Sequence, residues 1–414
     1  MSDKKRKILV PQYMQQFACI GSVCEDTCCV GWTVNIDQAT YKKYGKVREL
    51  ELKPLLDKKV TRNRSNPNAD NYAKIKLESG GRCPLLDEKS LCKLQSKLGE
   101  EYLSDVCATY PRVANQINGV LEKSATMSCP EAARLALLNP TGIDFDEIEE
   151  SVEQRNRVLK KMDTRASSLV NKVDKYFWEL RMATIQILQN RQYSVADRLV
   201  VLGMLFHKVQ EYVEGKQINE IPNLLTEYTR LINEGSMNEG LQNIPVLYAI
   251  QMELMKELSD VRIVQGLNST RYGECFVQYM HGIQYSEGST VEEIAERYKA
   301  VYELYYKPFM DQHEYIMENY LVNYVFKNTF PCGGYPTVVD EYIMLVVHYA
   351  MIKLQLIGMA GFHKEEFHVD HVLKLIQSFS KSVEHNTKYL QRVLELLKSN
   401  NYTSMAYMAI LIKN

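Results

Sequence analysis

Residues 17–32 read Phe-Ala-Cys-Ile-Gly-Ser-Val-Cys-Glu-Asp-Thr-Cys-Cys-Val-Gly-Trp, with thiols at Cys19, Cys24, Cys28 and Cys29. Moving outward, Cys83, Cys92, Cys107 and Cys129 follow, and only Cys275 and Cys332 lie in the rest of the chain. The same N-terminal third holds turn formers at Gly21, Gly31, Gly80, Gly81, Pro84, Pro111 and Pro130, and a polar stretch from Arg62 to Asn71. Short apolar runs separate these breaks. Trp32–Ile36 alternates as a strand does, and helical pieces fit Gln38–Tyr44 and Leu94–Val106. The first 135 residues are therefore predicted to form a compact, loop-rich module held by its cysteines.

Beyond it the texture changes to helical periodicity. Asp144–Asn190 carries an apolar set at Val158, Met162, Leu169, Val173, Phe177, Leu180 and Ile187. Val195–Val213 reads as a buried helix, followed by Asn219–Asn233, Val246–Val264 and Thr290–Thr329. The last opens on Thr290-Val-Glu-Glu293, a capping box, and Pro308 inside it should kink or split it. Further helices fit Val338–Ala360, Glu365–Lys381, Glu384–Ser399 and Tyr402–Lys413. The fold class expected is mainly α: a cysteine module over residues 1–135, then a large all-α helical domain over 136–414.

Composition narrows the function. Lys+Arg number 50 against 51 Asp+Glu, a net charge of −1, so no basic excess neutralises a phosphate backbone and nucleic acid is not the expected partner. The longest uncharged apolar run, Tyr342–Ile352, is too short to span a bilayer. The basic N-terminal stretch lacks an apolar h-region, which reads as cytoplasmic rather than secreted. In a reducing compartment, clustered cysteines point to metal or redox chemistry, with a disulfide framework as the alternative.

Thiolates are soft ligands that suit zinc or an iron–sulfur cluster equally well at this level. Cys19, Cys24, Cys28, Cys29, Cys83, Cys92, Cys107 and Cys129 are the candidate ligands. Neither a zinc-ribbon pair of Cys-x2-Cys motifs nor a Cys-x3-Cys-x2-Cys run is present, since position 31 is Gly. In an extended segment Cys28 and Cys29 would point to opposite faces, so that one ligates and the other packs, or the pair joins two parts of the module. Cys275 and Cys332 read as structural thiols. His363, His368 and His371 read as a solvated helix start rather than a second metal site.

Three blocks carry a family resemblance. The first is Phe17–Trp32, with Ile36-Asp37 and Tyr41–Tyr44 behind it. The second is Cys83-Pro-Leu-Leu-Asp87 with Leu91-Cys92 and Cys107-x-x-Tyr-Pro-Arg112. The third is Tyr306-Lys-Pro-Phe309, Glu318–Asn328, Phe330-Pro-Cys332 and Ile352–Ala360. Together they resemble the bacterial flagellin lysine N-methylases, over most of the chain. A wider group of zinc- or iron-chelating proteins shares the cysteine module alone. The resemblance implies methyl transfer from S-adenosylmethionine to lysine ε-amines of flagellin, the protein partner, with dependence on a [4Fe-4S] cluster; zinc is the alternative metal.

That chemistry needs a neutral amine, held in line with a sulfonium methyl and walled by rings and carboxylates. Tyrosines concentrate in Tyr302–Tyr324, where Tyr302 and Tyr306, and again Tyr320 and Tyr324, share a helical face. Tyr306, Glu318, Tyr320 and Asn323 are the catalytic candidates, with Tyr302 beside them; helix packing is the plainer reading of the same residues. No Gly-x-Gly follows a clear strand, so no S-adenosylmethionine pocket of the common α/β type is expected and no cofactor-binding residue is assigned. The competing function is a non-catalytic zinc- or iron-binding interaction module.

Overall fold

The computed structural model describes residues 4–65, 67–264, 269–286 and 288–414. Residues 1–3, at the head of the basic stretch, and Asn66, in the polar stretch, lie outside the described residues. The chain forms two compact units. The first comprises Met1–Gln116, Val120–Ala132 and Phe145–Lys161; the second comprises Ile117–Gly119, Ala133–Asp144 and Met162–Asn414. Phe145–Lys161 thus joins the first unit, past the boundary expected at residue 135.

The first unit is built on two sheets as well as loops. Its larger sheet has the order Phe145–Ser151, Lys5–Pro11, Val120–Ala125, Arg112–Ile117 and Val158–Met162. Lys5–Pro11 runs parallel to Val120–Ala125 and antiparallel to Phe145–Ser151. Ile8, Val10, Ala114 and Leu121 pack on one another within it. Charge helps to fix the antiparallel register: Lys5 pairs with Glu149 at 3.3 Å, Arg6 with Glu150 at 2.7 Å and Lys7 with Glu147 at 2.6 Å.

This corrects the helix expected over Asp144–Asn190. Phe145–Ser151 and Val158–Met162 are strands, and helix appears only at Phe177–Leu188. The apolar positions Val158 and Met162 fit a helical spacing, but Phe145–Ser151 finds the basic strand Lys5–Pro11 and Val158–Met162 finds Arg112–Ile117 at the sheet edge. A long-range pairing of that kind overrides local period.

A second, three-stranded sheet pairs Asn35–Ile36 and Val60–Arg62 with Ala73–Ile75. Short helices Gln38–Lys46, Leu52–Lys59 and Lys93–Leu98 surround it. Their core includes Ile36, Leu52, Leu56, Ala73, Leu85 and Cys83, with Cys29, Cys92 and Cys107 packed against it. The module is thus held by an apolar core in addition to its thiols.

The second unit is helical throughout its main body. Its axis is Val338–His363, a 26-residue helix in which every residue from Glu341 to Ala360 is buried. By length and composition this helix could cross a membrane, but its apolar window is wholly buried inside the protein. Thr270–Gly282 crosses it at close range: a methyl on Gly282 would fall 1.7 Å from the Gly358 carbonyl oxygen. Val195–Glu214 packs on another side, and Phe177–Leu188 and Tyr315–Lys327 complete a layer.

The segment expected as one helix over Thr290–Thr329 is three. Val291–Val301 begins with the capping box, Thr290 accepting from Glu293 N and Glu293 from Thr290 N. A π turn, Tyr302–Tyr306, leads into Lys307–His313, and Tyr315–Lys327 follows. Pro308 lacks the N–H that an α turn would require there, and the widened turn ahead of it absorbs the loss.

Candidate active site

The π turn brings Tyr302 and Tyr306 toward a buried amine on the central helix. Tyr302 and Tyr306 stand with ring centres 5.8 Å apart. Lys353, from the central helix, reaches toward them: its Nζ lies 5.7 Å from the Tyr302 ring centre and 5.8 Å from that of Tyr349. Tyr349 and Lys353 share a face of their helix at i, i+4. Lys353 Nζ donates to the Ile412 carbonyl at 2.8 Å. Tyr298 is buried beside them, its hydroxyl accepting from Asn414 Nδ2 at 3.1 Å.

One carboxylate serves this group. Glu314, in the break before Tyr315–Lys327, accepts from Val195 N at 2.9 Å and has 37 % of its side chain exposed, so it forms an open edge. Burial raises its pKa, against the Val195 bond and Arg198. Burial acts oppositely on the amine: desolvation brings the Lys353 ammonium down to about 7, with Glu314 pulling the other way. Tyr302 is pushed up to about 12, and Tyr298, Tyr306 and Tyr349 well above their ordinary value, all chiefly by burial. The tyrosines are neutral phenols, and the amine gains and loses its proton near neutral pH.

The four catalytic candidates do not form one site. Tyr306 lies in the tyrosine group. Glu318 instead accepts from Arg191 Nη2 at 2.9 Å and Arg198 Nη1 at 2.8 Å, and is itself buried. With both oxygens taken by guanidinium groups, it anchors its helix. Tyr320 donates to Glu384 at 2.7 Å, which also accepts from Lys327 at 2.6 Å. Asn323 is buried on the same helix. Glu314, Lys353, Tyr298 and Tyr349 were missed, and one signal was available: Lys353 is the charge that ends the apolar run Tyr342–Ile352.

The cysteines lie in the first unit, and local backbone explains how distant ones meet. Val30 bridges to Arg82, Cys83 N donates to the Cys29 carbonyl at 2.9 Å, and Gly31 N to the Gly81 carbonyl at 3.1 Å. Gly31 and Gly81 have φ of 88° and 76°, and a methyl on Gly81 would lie 3.2 Å from Gly31 N. Cys92 and Ser104 cap the helices Lys93–Leu98 and Asp105–Thr109, so Cys92 and Cys107 sit at helix N-termini, where thiolates are favoured.

The thiols fall into two sets. Cys29, Cys83, Cys92 and Cys107 have pKa values raised in part by neighbouring thiols, Cys28 among them, and Cys24 and Cys129 have theirs raised in part by neighbouring thiols, Cys19 among them. Burial is the largest cause for Cys107, pushed up to about 12, and Cys129, to about 11. Backbone donors from Leu85, Leu94 and Gln95 and the Ser104 hydroxyl act in the opposite sense at Cys83, Cys92 and Cys107. Cys28 and Cys29 correct the expectation of opposite faces. A turn, not a strand, carries them, and their sulfurs are 3.8 Å apart.

Soft sulfur donors backed by N–H groups have the chemistry an iron–sulfur cluster needs. Among the described residues no three or more His, Cys, Asp or Glu side chains are arranged to hold a single metal ion. A cavity of about 150 Å³ in this unit is lined by Asn35, Asp37, Asp70 and Asp105. Its carboxylates are partly committed, Asp37 accepting from Thr40 N at 2.8 Å and Asp105 N at 3.2 Å.

Comparison with known proteins bears on the helical unit first. A family model described as the FliB lysine N-methylase C-terminal domain matches residues 181–411. The chain belongs to this lysine N-methylase family. The match contains Tyr298, Tyr302, Tyr306, Glu314, Tyr349 and Lys353. Over the full length, the lysine-N-methylases of Salmonella typhimurium and Salmonella choleraesuis are each 22% identical across 98% of this chain and 99% of theirs. The flagellar biosynthetic protein FliU of Salmonella muenchen is 30% identical across 40% of this chain and 96% of its own. No solved structure matches. Glu318, Arg191 and Arg198 also fall in the matched region.

Proposed function

We propose that this chain is a protein lysine N-methyltransferase that moves the methyl of S-adenosylmethionine to ε-amines of flagellin lysines in the cytoplasm. The observation that carries this reading is the environment of Lys353. The helical unit brings the pKa of a primary amine down to about 7, against tyrosine faces and beside a carboxylate, so that its neutral form is well populated near neutrality. Methyl transfer demands the same of a substrate lysine, because an ammonium has no lone pair. Glu314, at the exposed edge, would draw in a substrate ammonium, and the Tyr302 and Tyr306 rings would wall its stem.

An iron–sulfur cluster is proposed on Cys83, Cys92 and Cys107, with Cys28 or Cys29 as the fourth ligand. Their mutual influence and N–H support favour it, and zinc fits less well because a single ion requires sulfurs about 4 Å apart around one point. Such a cluster supplies either structural closure of the module or a Lewis-acidic iron.

The test is transfer of label from methyl-labelled S-adenosylmethionine to purified flagellin, using anaerobically purified protein. Labelled flagellin is expected. A protein with its cluster intact that leaves flagellin unlabelled would overturn the reading.

A further inference from the structure

Lys353 marks the environment of the site, and its own part in the chemistry follows from its surroundings. It is 5% exposed and lies in the middle of the buried central helix, directly after the apolar run Tyr342–Ile352. A buried lysine kept only for packing is costly, and Leu or Met would fill the same volume without the penalty. One of its Nζ hydrogens goes to the Ile412 carbonyl, which leaves the lone pair of the neutral amine unused.

The groups facing it come from several elements. Glu314 approaches from the break before Tyr315–Lys327, Tyr302 from the π turn, and Tyr349 from its own helix. Asp197, from Val195–Glu214, and Lys413, beyond Met405–Ile412, also act on it. Those two are paired with each other at 2.5 Å, so their effects largely cancel. Arg198 stands behind Glu314. What remains is one carboxylate at the open edge, two ring faces, and an amine behind them.

We infer that Lys353 is the proton acceptor for the substrate amine, an inference that rests on the methyltransferase reading above. The substrate ammonium, drawn to Glu314, passes a proton to the Lys353 lone pair. The freed substrate lone pair then forms the N–C bond to the sulfonium methyl. As it does so the C–S bond breaks and its electron pair stays on sulfur. The product leaves as the methylated ammonium, and Lys353 returns its single acquired proton to solvent. The Tyr302 and Tyr349 faces and Glu314 stabilise the transient Lys353 ammonium. The amine's ionisation at about 7 suits this exchange, since an acceptor works best near the ambient pH.

The test is the rate of methyl transfer to flagellin from about pH 6 to about pH 9.5, for the wild-type chain, Lys353→Met and Lys353→Arg. The wild-type kcat is expected to rise through one ionisation near neutrality and then level. Both variants are expected to lose about 30-fold at neutral pH and to recover toward the wild-type rate at the alkaline end, where a free lysine begins to deprotonate unaided. Variants that keep the wild-type profile would overturn the inference, as would a loss equal at every pH in variants with wild-type melting behaviour. If neither variant folds, the wild-type profile decides, and absence of an ionisation near neutrality overturns it. A wild-type chain inactive at every pH would instead sink the methyltransferase reading, and this one with it.

Discussion

Lys353 Nζ lies 5.7 Å from the ring centre of Tyr302, and the two residues come from elements that the sequence separates by about fifty positions. The π turn at Tyr302–Tyr306 makes this possible, because it rotates Tyr302 and Tyr306 toward the central helix while Leu304 stays 65% exposed. Tyr302 is only half-buried, so its replacement tests the site more than the fold. Tyr302→Phe keeps the ring face and should retain most of the methyl-transfer rate. Tyr302→Ala should lower kcat/KM by about 10-fold or more, through lost cation–π and packing contact. Equal rates for the two variants would contradict the ring's role.

Glu318 is expected to matter for stability rather than chemistry. It is held between Arg191 and Arg198, and Arg198 also donates to the Tyr193 and Leu188 carbonyls, each at 2.7 Å. Removing Arg198 leaves buried Glu318 with the half-exposed Arg191 alone and takes the donor from the Tyr193 and Leu188 carbonyls. Arg198→Met should therefore cost about 3–5 kcal/mol of unfolding free energy, measured by urea denaturation. The double variant Arg198→Met, Glu318→Met should recover part of that loss.

The two thiol sets should behave differently. Cys83→Ser, Cys92→Ser or Cys107→Ser should each abolish the broad visible absorption of an iron–sulfur cluster in anaerobically purified protein. Cys19→Ser, at an exposed position of the other set, should leave the absorption in place. The reverse pattern would move the cluster to the Cys19, Cys24 and Cys129 set.

Acid should loosen the helix Val369–Phe379. Its start is closed by imidazoles acting as acceptors: His368 Nδ1 accepts from Asp370 N at 3.3 Å, and His371 Nδ1 from His368 N at 3.2 Å. His363 stacks on His371 at 3.6 Å. Burial, then His363 and His368, hold His371 down at about 4. A folded-state pKa below the unfolded value of about 6.5 means that the unfolded chain binds more protons between those limits. The stabilisation is present above about pH 6.5 and is lost as pH falls toward 4. Urea denaturation at the two ends of that window should differ by on the order of 1 kcal/mol from His371, screened by its partial exposure. His371→Gln should reduce the difference.

Much of the helical unit was legible in its sequence because its signals are local. The Thr290 capping box, the Asn386 cap and the unbroken apolar face of the central helix each specify structure within a few residues. The strands of the first unit were not, because Phe145–Ser151 acquires its partner from Lys5–Pro11, over a hundred residues away. The site followed the same division. Tyr302 and Tyr306 are neighbours in sequence, and their shared helical face is readable there. Glu314 sits in a helix break, and Lys353 hides in a helix whose hydrophobicity pointed only to the core. Cys28 and Cys29 were misread because a turn, which no period reveals, brings their sulfurs to one side.

The most direct measurement is the kcat/KM for methyl transfer to flagellin by Glu314→Gln beside the wild-type chain. Glu314 is partly exposed, so the variant should fold and melt as the wild type does. Loss of the carboxylate that receives the substrate ammonium should lower kcat/KM by about 10- to 100-fold. A Glu314→Gln chain that methylates flagellin at the wild-type rate would contradict the placement of the reaction at this tyrosine-lined site.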